Sequence, residues 1–271
     1  MGTQYKLALC QMYTIDDKKK NMETAADFVN RAAAGGAKVV SLPEMWNTPY
    51  DNSFFPRYAE DAEGPSVVLM ADLARTNEVY LIGGSIPERQ GEKLYNTSYI
   101  FAPDGQLLAK HRKIYLFDIN VTGGVRFMES DTLTAGDSET VIDTEFGKIG
   151  VAICFDVRFP PLFRSMTDKG VHLVILPASF SLTTGPVHWD LLMRSRALDN
   201  QIYFAACSPA RDVTQKYRAY GHSCVVDPWG EFCGMAALGE TIVYADINLD
   251  YMARVRREIP IGFEHLGSGQ E

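Results

Sequence analysis

Three side chains capable of chemistry stand just past apolar runs of the kind that form strands. Glu44 follows Val39 to Pro43, Cys154 follows Ile149 to Ile153, and Lys113 lies just beyond a run ending near Lys110. A carboxylate can move a proton, an ammonium can hold an oxyanion, and a thiolate is intrinsically a strong nucleophile. In open α/β sheets ligands collect at the carboxyl ends of strands, so placement matters here as much as residue type. Taken singly, each residue has an ordinary structural reading: Cys154 as a buried thiol, Glu44 as a helix cap or ion-pair partner, Lys113 as a solvated strand end. Together they describe one device, an acid/base, a fixed positive charge and a sulfur nucleophile that a single pocket could gather.

The elements that must position them follow a repeating order. Residues 5–11 alternate as a strand, 22–34 form an Ala-rich amphipathic helix stopped by Gly35 and Gly36, and 37–44 form a second strand. A helix opens at Pro65 and runs to Arg75, a third strand begins at Val79, and residues 95–102 turn through Pro103, Asp104 and Gly105 into 106–110. The second half repeats this, with strand 148–153, helix 160–168, strand 171–179, helix 186–198 and strand 202–207. Letters correspond as well: Ser41-Leu42-Pro43-Glu44 matches Ile175-Leu176-Pro177-Ala178, and Asn77-Glu78-Val79-Tyr80 matches Asn200-Gln201-Ile202-Tyr203. The run from Tyr95 through Gly105 likewise matches the run from Tyr220 through Gly230.

A lone half would leave one sheet face bare. Two sheets stacked face to face with helices outside, a four-layer αββα sandwich within α/β proteins, solve that problem. The alternative, two side-by-side domains, lacks the Gly/Ser-rich or Pro-rich linker it would need. The expectation is one domain over 1–271, with halves of about 5–138 and 139–248 and a tail at 249–271.

Composition narrows the function classes. With 26 Lys+Arg against 34 Asp+Glu the net charge is −8, and no basic run exceeds Lys18 to Lys20, which disfavours nucleic acid and anionic lipid as partners. No window approaches the ~18 consecutive apolar residues of a membrane span. The first twelve residues alternate like a strand and not like a signal peptide, and Lys6 stands where a myristoylation motif wants Ser or Thr, so a cytoplasmic protein is expected. Five cysteines without a Cys-x-x-Cys pair signal neither a disulfide framework nor a zinc site. Cys10, Cys207 and Cys224 fall in apolar strand patterns and Met70, Met166 and Met193 at helical core positions, while Cys233 lies in a hairpin strand.

Leu42-Pro43-Glu44, His111-Arg112-Lys113 and the stretch from Ile153 to Pro160 resemble the Glu-Lys-Cys motifs of the nitrilase (carbon-nitrogen hydrolase) superfamily. The resemblance covers roughly residues 5–260. The words around His111 to Ile119 and Ser181 to Trp189 are most similar to the ω-amidase branch. It implies hydrolysis of the terminal amide of a small 2-oxo acid (2-oxoglutaramate, 2-oxosuccinamate) through a cysteine thioester, with no metal or organic cofactor. In that scheme Glu44 is the base, Cys154 the nucleophile, and Lys113 with the Phe155 N–H the oxyanion holders. A second glutamate of the family matches Glu129, expected to orient Lys113. Arg158 is the first choice for the substrate carboxylate, with Arg194 and Arg196 ranked below it. Phe180, Thr184 and Tyr50 are candidate pocket walls. His188 and Trp189 read as a helix-packing pair and not as a Cys-His dyad. The same triad would serve an N-carbamoyl amine, deaminated glutathione or an aliphatic amide, and a non-catalytic scaffold is the reading from another class. The expected partners are a small-molecule amide and further copies of the chain, as a homodimer or larger assembly, with the segment from Thr241 to Pro260 suited to reaching a neighbour.

Overall fold

A computed structural model describes residues 4–122 and 126–261. The first part of the chain runs β1 (Gln4–Gln11), α1 (Lys18–Ala34), β2 (Val39–Ser41), α2 (Phe55–Tyr58), α3 (Pro65–Asn77), β3 (Tyr80–Ile82), β4 (Ile86–Gln90), β5 (Lys93–Phe101) and β6 (Leu107–Arg112). A short hairpin, β7 (Asp118–Asn120) with β8 (Arg126–Met128), leads to a 3-10 turn at Glu129–Asp131. The second part is β9 (Thr140–Thr144), β10 (Gly147–Val151), a 3-10 turn at Cys154–Arg158, α4 (Pro160–Asp168), β11 (Val171–Pro177), α5 (Gly185–Asn200), β12 (Tyr203–Cys207), β13 (Cys224–Val226), β14 (Phe232–Met235), β15 (Thr241–Asn248) and α6 (Leu249–Glu258).

Local chemistry sets the boundaries. The Asp17 side chain caps α1 by accepting from the Lys20 N–H at 3.0 Å, and the helix buries Ala25, Phe28, Val29 and Ala32, one face at helical spacing. Glu78 and Gln201, matched in the sequence repeat, both end their helices in the left-handed conformation, at φ +52° and +48°. Gly105 and Gly230, matched in the same way, turn their hairpins at φ +85° and +86°. The repeat therefore extends to backbone conformation.

Two sheets result. One has the order β15-β1-β2-β3-β5-β4, with β6 also paired to β5, and the other has the order β14-β13-β12-β11-β10-β9. β1, β2 and β3 are parallel, as are β10, β11 and β12. Alternation along the strands divides the core into layers. Leu7, Leu9 and Val39 pack with Ile149, Val151 and Ile175 between the sheets, whereas Ala8, Cys10 and Val40 face α1 and α3. Val174, Leu176 and Phe204 meet Met166, Trp189 and Met193 of the helices on the far side. This is the expected αββα sandwich.

Several local features differ from the sequence reading. The strand expected over 37–44 keeps ladder pairing only at Val39–Ser41, because the chain turns away at Pro43, which has no N–H to offer. The expected pattern did not include β4, whose Pro87 is tolerated at the end of the strand order, nor α6, capped by Asn248 accepting from the Tyr251 N–H at 2.9 Å. β15, read from the sequence as the close of the second half, pairs antiparallel with β1 of the first along its whole length. It thereby ties the end of the chain to the first sheet. Residues 262–271 of the expected tail lie outside the described residues.

The turn after β2 is held by the segment after β3. Ser85 N donates to Pro43 O at 3.1 Å, Ser85 Oγ accepts from Met45 N at 3.0 Å, and Trp46 Nε1 donates to Gly83 O at 2.9 Å. Gly84 sits at φ +57°, and a Cβ there would lie 2.1 Å from Pro43 O. A left-handed alanine alone costs about 1–2 kcal/mol, and the backbone contact adds to it. Gly84→Ala is therefore expected to lower unfolding free energy by more than about 2 kcal/mol in urea titration, and to reduce activity by moving Glu44.

Candidate active site

Glu44 and Lys113 arrive from the first sheet, past β2 and β6, and Cys154 from the second, past β10. The site thus spans the carboxyl ends of both sheets. Lys113 is fully buried, and its Nζ lies 3.0 Å from Glu44 Oε1 and 2.9 Å from Glu129 Oε2. Tyr50 completes the cluster, donating to Glu129 Oε1 at 2.6 Å, with its hydroxyl 3.4 Å from both Glu44 Oε1 and Lys113 Nζ. Glu44 also accepts from Asn96 Nδ2 at 2.9 Å and from the Ser179 N–H at 2.7 Å, and its carboxyl interacts with the Cys154 thiol. The Phe117 N–H fixes the other glutamate, donating to Glu129 Oε2 at 2.6 Å.

Burial sets the charge states. It raises the Glu44 carboxyl above the ordinary range, an effect that Lys113 opposes and Glu129 reinforces. Burial works against charge on Lys113, but Glu129 and Glu44 more than offset it and hold the ammonium protonated. The Cys154 thiol is pushed well up by burial and then by Glu44, against the pull of Lys113. The resting pair is therefore a neutral thiol beside a carboxylate of raised proton affinity, poised for proton transfer.

Cys154 itself has φ +47°, an uncommon conformation for a residue with a Cβ, at a sharp bend from strand into 3-10 turn. The turn's first bond runs from Asp156 N to Ile153 O, so the Cys154 and Phe155 N–H groups precede it and make no bond within the turn. Asp156 secures the bend. One carboxylate oxygen accepts from Ile114 N and Tyr115 N at 3.1 and 2.9 Å, the other from Ile153 N at 2.9 Å, with His111 Nε2 at 3.0 Å. A single buried side chain thus joins the backbone beside Lys113 to the backbone beside Cys154.

Two cavities flank the cluster. A small one of about 10 Å³ is lined by Cys154 with Phe117, Phe155, Arg158, Ser179, Phe180 and Thr184. The expected pocket residues Phe155, Arg158, Phe180 and Thr184 are therefore together around the thiol. Tyr50 is not among them; it lines the second cavity, of about 160 Å³, on the Glu44 side. Phe180 also belongs to the core, packing edge-on against Trp189 at 5.1 Å between ring centres. Arg158 is half-buried, lies over the Phe155 and Phe180 rings at 5.4 and 5.5 Å, and meets His188 Nδ1 at 3.1 Å. Among the described residues it has no carboxylate partner. Arg194 donates to Gly230 O at 2.7 Å, and Arg196 supports the nucleophile turn by donating to Val157 O at 2.8 Å, so the two face apart as their spacing requires. The expected packing pair splits: Trp189 is buried, whereas His188 turns to Arg158.

Asn96, Ser179, Asp156 and Tyr217 were not singled out from the sequence. Asp156 lay inside a quoted motif, two residues past Cys154, and Asn96 inside the repeat, but partner choice there depends on distant segments. Among the described residues no cluster of His, Cys, Asp or Glu is placed to hold a metal ion, and no helix is long and apolar enough to cross a membrane. Asp156→Asn would turn an acceptor into a donor facing backbone N–H groups. Each unsatisfied buried donor costs about 1–3 kcal/mol, so a loss of stability of that order is expected in denaturant titration, with a larger fractional loss of turnover than at a core site of equal destabilisation.

The carbon-nitrogen hydrolase family model matches residues 6–257. The omega-amidase NIT2-B of Xenopus laevis is 50% identical over 258 residues, covering 95% of this chain and 94% of that one. The omega-amidase NIT2 of Homo sapiens is 49% identical over 259 residues, covering 96% and 94%. Saccharomyces cerevisiae Nit3, a member of branch 10 of the nitrilase superfamily, superimposes with a TM-score of 0.89 at 42% identity, covering 97% of this chain and 96% of that one. The sequence, the two-sheet fold and the buried Glu-Lys-Cys cluster agree with these likenesses: the chain belongs to the carbon-nitrogen hydrolase family and is an enzyme that acts on amides.

Proposed function

We propose that the enzyme is an ω-amidase, hydrolysing the terminal carboxamide of a small 2-oxo acid such as 2-oxoglutaramate or 2-oxosuccinamate. One observation carries the substrate class: Arg158, without a carboxylate partner among the described residues, lines the same small cavity as the Cys154 thiol. A desolvated guanidinium in that position suits a substrate carboxylate, which it can bind bidentately. The relatives named omega-amidase support the same reading.

In the proposed reaction the raised proton affinity of Glu44 suits it to take the Cys154 proton as sulfur attacks the amide carbon. The oxyanion develops toward Lys113 and the Phe155 N–H, which precedes the first bond of its turn. Glu44 returns the proton to the departing nitrogen, ammonia leaves, and a thioester remains. Water activated by Glu44 then releases the acid. Glu129 acts through Lys113 and Tyr50, holding both in register. The chain is also proposed to work as a homodimer or larger assembly in the cytoplasm; sedimentation as a monomer at micromolar concentration would rule out the assembly.

Ammonia release is to be measured on 2-oxoglutaramate, 2-oxosuccinamate, glutamine, asparagine, an N-carbamoyl amino acid, deaminated glutathione and a simple aliphatic amide. The two oxo-amides should be preferred, and Cys154→Ala should abolish turnover. Arg158→Met should raise KM for the oxo-amides at least tenfold while leaving an uncharged aliphatic amide within about twofold; loss of ~1.4 kcal/mol of binding corresponds to that factor. Preference for another amide would keep the triad chemistry and overturn the substrate, and silence on the whole panel would favour the scaffold reading. Glu129→Gln should lower kcat about a hundredfold, as expected when an oxyanion donor is misplaced, and a change of only a few-fold would refute its positioning role.

A further inference from the structure

Asn96, in β5, is bonded to both charged members of the Glu-Lys-Cys cluster. Its backbone carbonyl accepts from Lys113 N at 2.9 Å, and its side-chain Nδ2 donates to Glu44 Oε1 at 2.9 Å. The residue is buried, and the other end of the same amide, Oδ1, has no hydrogen-bond partner among the described residues. A side chain kept for structure alone would satisfy both ends, because an orphaned acceptor in the interior destabilises the fold. The Asn96 amide engages Glu44 alone. The two oxygens of that carboxylate are unequally engaged in turn. Oε1 accepts from Asn96 and, at 3.0 Å, from Lys113 Nζ. Tyr50 adds little there, since its hydroxyl is 3.4 Å away and its single proton goes to Glu129 Oε1 at 2.6 Å. Oε2 accepts from the Ser179 N–H at 2.7 Å and from no other N–H or O–H among the described residues.

We propose that Asn96 is a positioning residue for the reaction: together with Lys113 it occupies Glu44 Oε1, and so confines the travelling proton to Oε2. The inference rests on the acid/base reading of Glu44 above. A carboxylate oxygen has two lone pairs, so two donors saturate Oε1, whereas one N–H leaves Oε2 a lone pair free. The proton of Cys154 passes to Oε2 as sulfur bonds to the amide carbon. It moves on to the nitrogen as the C–N bond breaks, which completes ammonia. In the second half-reaction a water proton takes the same position as the water oxygen bonds to the thioester carbon, and the sulfur recovers it as the C–S bond breaks. One oxygen, held in one place, serves every transfer. A donor on a carboxylate also favours its charged form, which opposes the effect of burial on Glu44 and keeps it able to accept the proton. The titratable groups facing Glu44 are Lys113, Glu129, Cys154, Tyr50 and Tyr217. None replaces the Asn96 donor: Lys113 already engages Oε1, and the Tyr50 and Tyr217 hydroxyls donate to Glu129 and to Ser179 O.

Asn96→Leu removes the donor at similar volume, and Asn96→Ala is a second variant should the first not fold, as unfolding midpoints establish. Ser98→Ala is the control, because Ser98 lies two residues along the same strand, buried with its Oγ likewise unpartnered among the described residues. Two quantities are followed against pH: kcat and KM for 2-oxoglutaramate, and alkylation of Cys154 by iodoacetamide, read at its own peptide by mass and needing no amide substrate. A carboxylate that loses a donor holds its proton to higher pH, so the acid limb of both profiles should move up by about one pH unit, the scale of one hydrogen bond to a charged group. The plateau of kcat should fall about tenfold with KM within about twofold, the pattern of an interaction that matters in the transition state, while Ser98→Ala follows wild type. A lowered plateau with the limb unmoved would make Asn96 a structural residue and overturn the proposal, as would wild-type profiles in a folded variant. A moved limb with an unchanged plateau would overturn the confinement to Oε2. Failure of the underlying reading is distinct, because Glu44→Gln would then be alkylated with the wild-type pH profile.

Discussion

A lysine ammonium with no exposure to water sits between two carboxylates, and most of the architecture around it answers that fact. Removing such a charge from water costs several kcal/mol unless partners surround it at close range. Glu44 and Glu129 supply the countercharge, and the hydroxyl of Tyr50 and the amide of Asn96 donate to the same carboxylate oxygens that Lys113 contacts. Two backbone N–H groups, from Phe117 and Ser179, complete the shell. Burial in so dry a place is what lifts the proton affinity of Glu44, with Glu129 adding to it against the pull of Lys113, and in the proposed reaction that lift suits it to act as base toward a thiol whose own proton is tightly held.

Such a cluster demands exact placement from segments far apart in the chain, and the two sheets provide it. Glu44 hangs from a turn stapled to Gly83 and Ser85, which requires a left-handed glycine at Gly84. Cys154 hangs from a bend at φ +47°, held by Asp156 to the segment that carries Lys113. The strain at Cys154 is tolerated because the turn is tied on both sides, by Asp156 and by the Arg196 bond to Val157 O. The pseudo-repeat has a further consequence here. Glu44 corresponds to Ala178 in the second half, and the next residue, Ser179, donates its N–H to the Glu44 carboxylate. One copy of the strand-end motif carries the proposed acid/base, Glu44, and the other helps to hold it.

The elements legible in the sequence are those whose signal is local. Helix α4 was read to its observed bounds because Pro160 opens it and Gly170 follows its end, and the matched turns at Gly105 and Gly230 adopt the same conformation because the same residue types meet the same geometric need. Glu44, Lys113 and Cys154 were legible through their motifs and strand-end positions, and Arg158, Phe180 and Thr184 through nearness to those motifs. β4 and α6 were not legible: a proline interrupts one, and the other follows the segment that closes the repeat.

The sequence by itself determined which residue types stand at which strand ends, because apolar alternation, caps and turn residues act over a few positions of chain. Only the tertiary structure decided which groups meet. It gave β15 to the first sheet and Asp156 to the backbone on both sides of the site, turned Tyr50 to Glu129, left Arg158 beside the thiol, and set Glu44 and Cys154 on different cavities. The physical reason is that burial and hydrogen bonding are settled through space. A buried charge takes whichever partner the packed sheets bring within about 3 Å, and nothing in the local pattern of the chain names that partner.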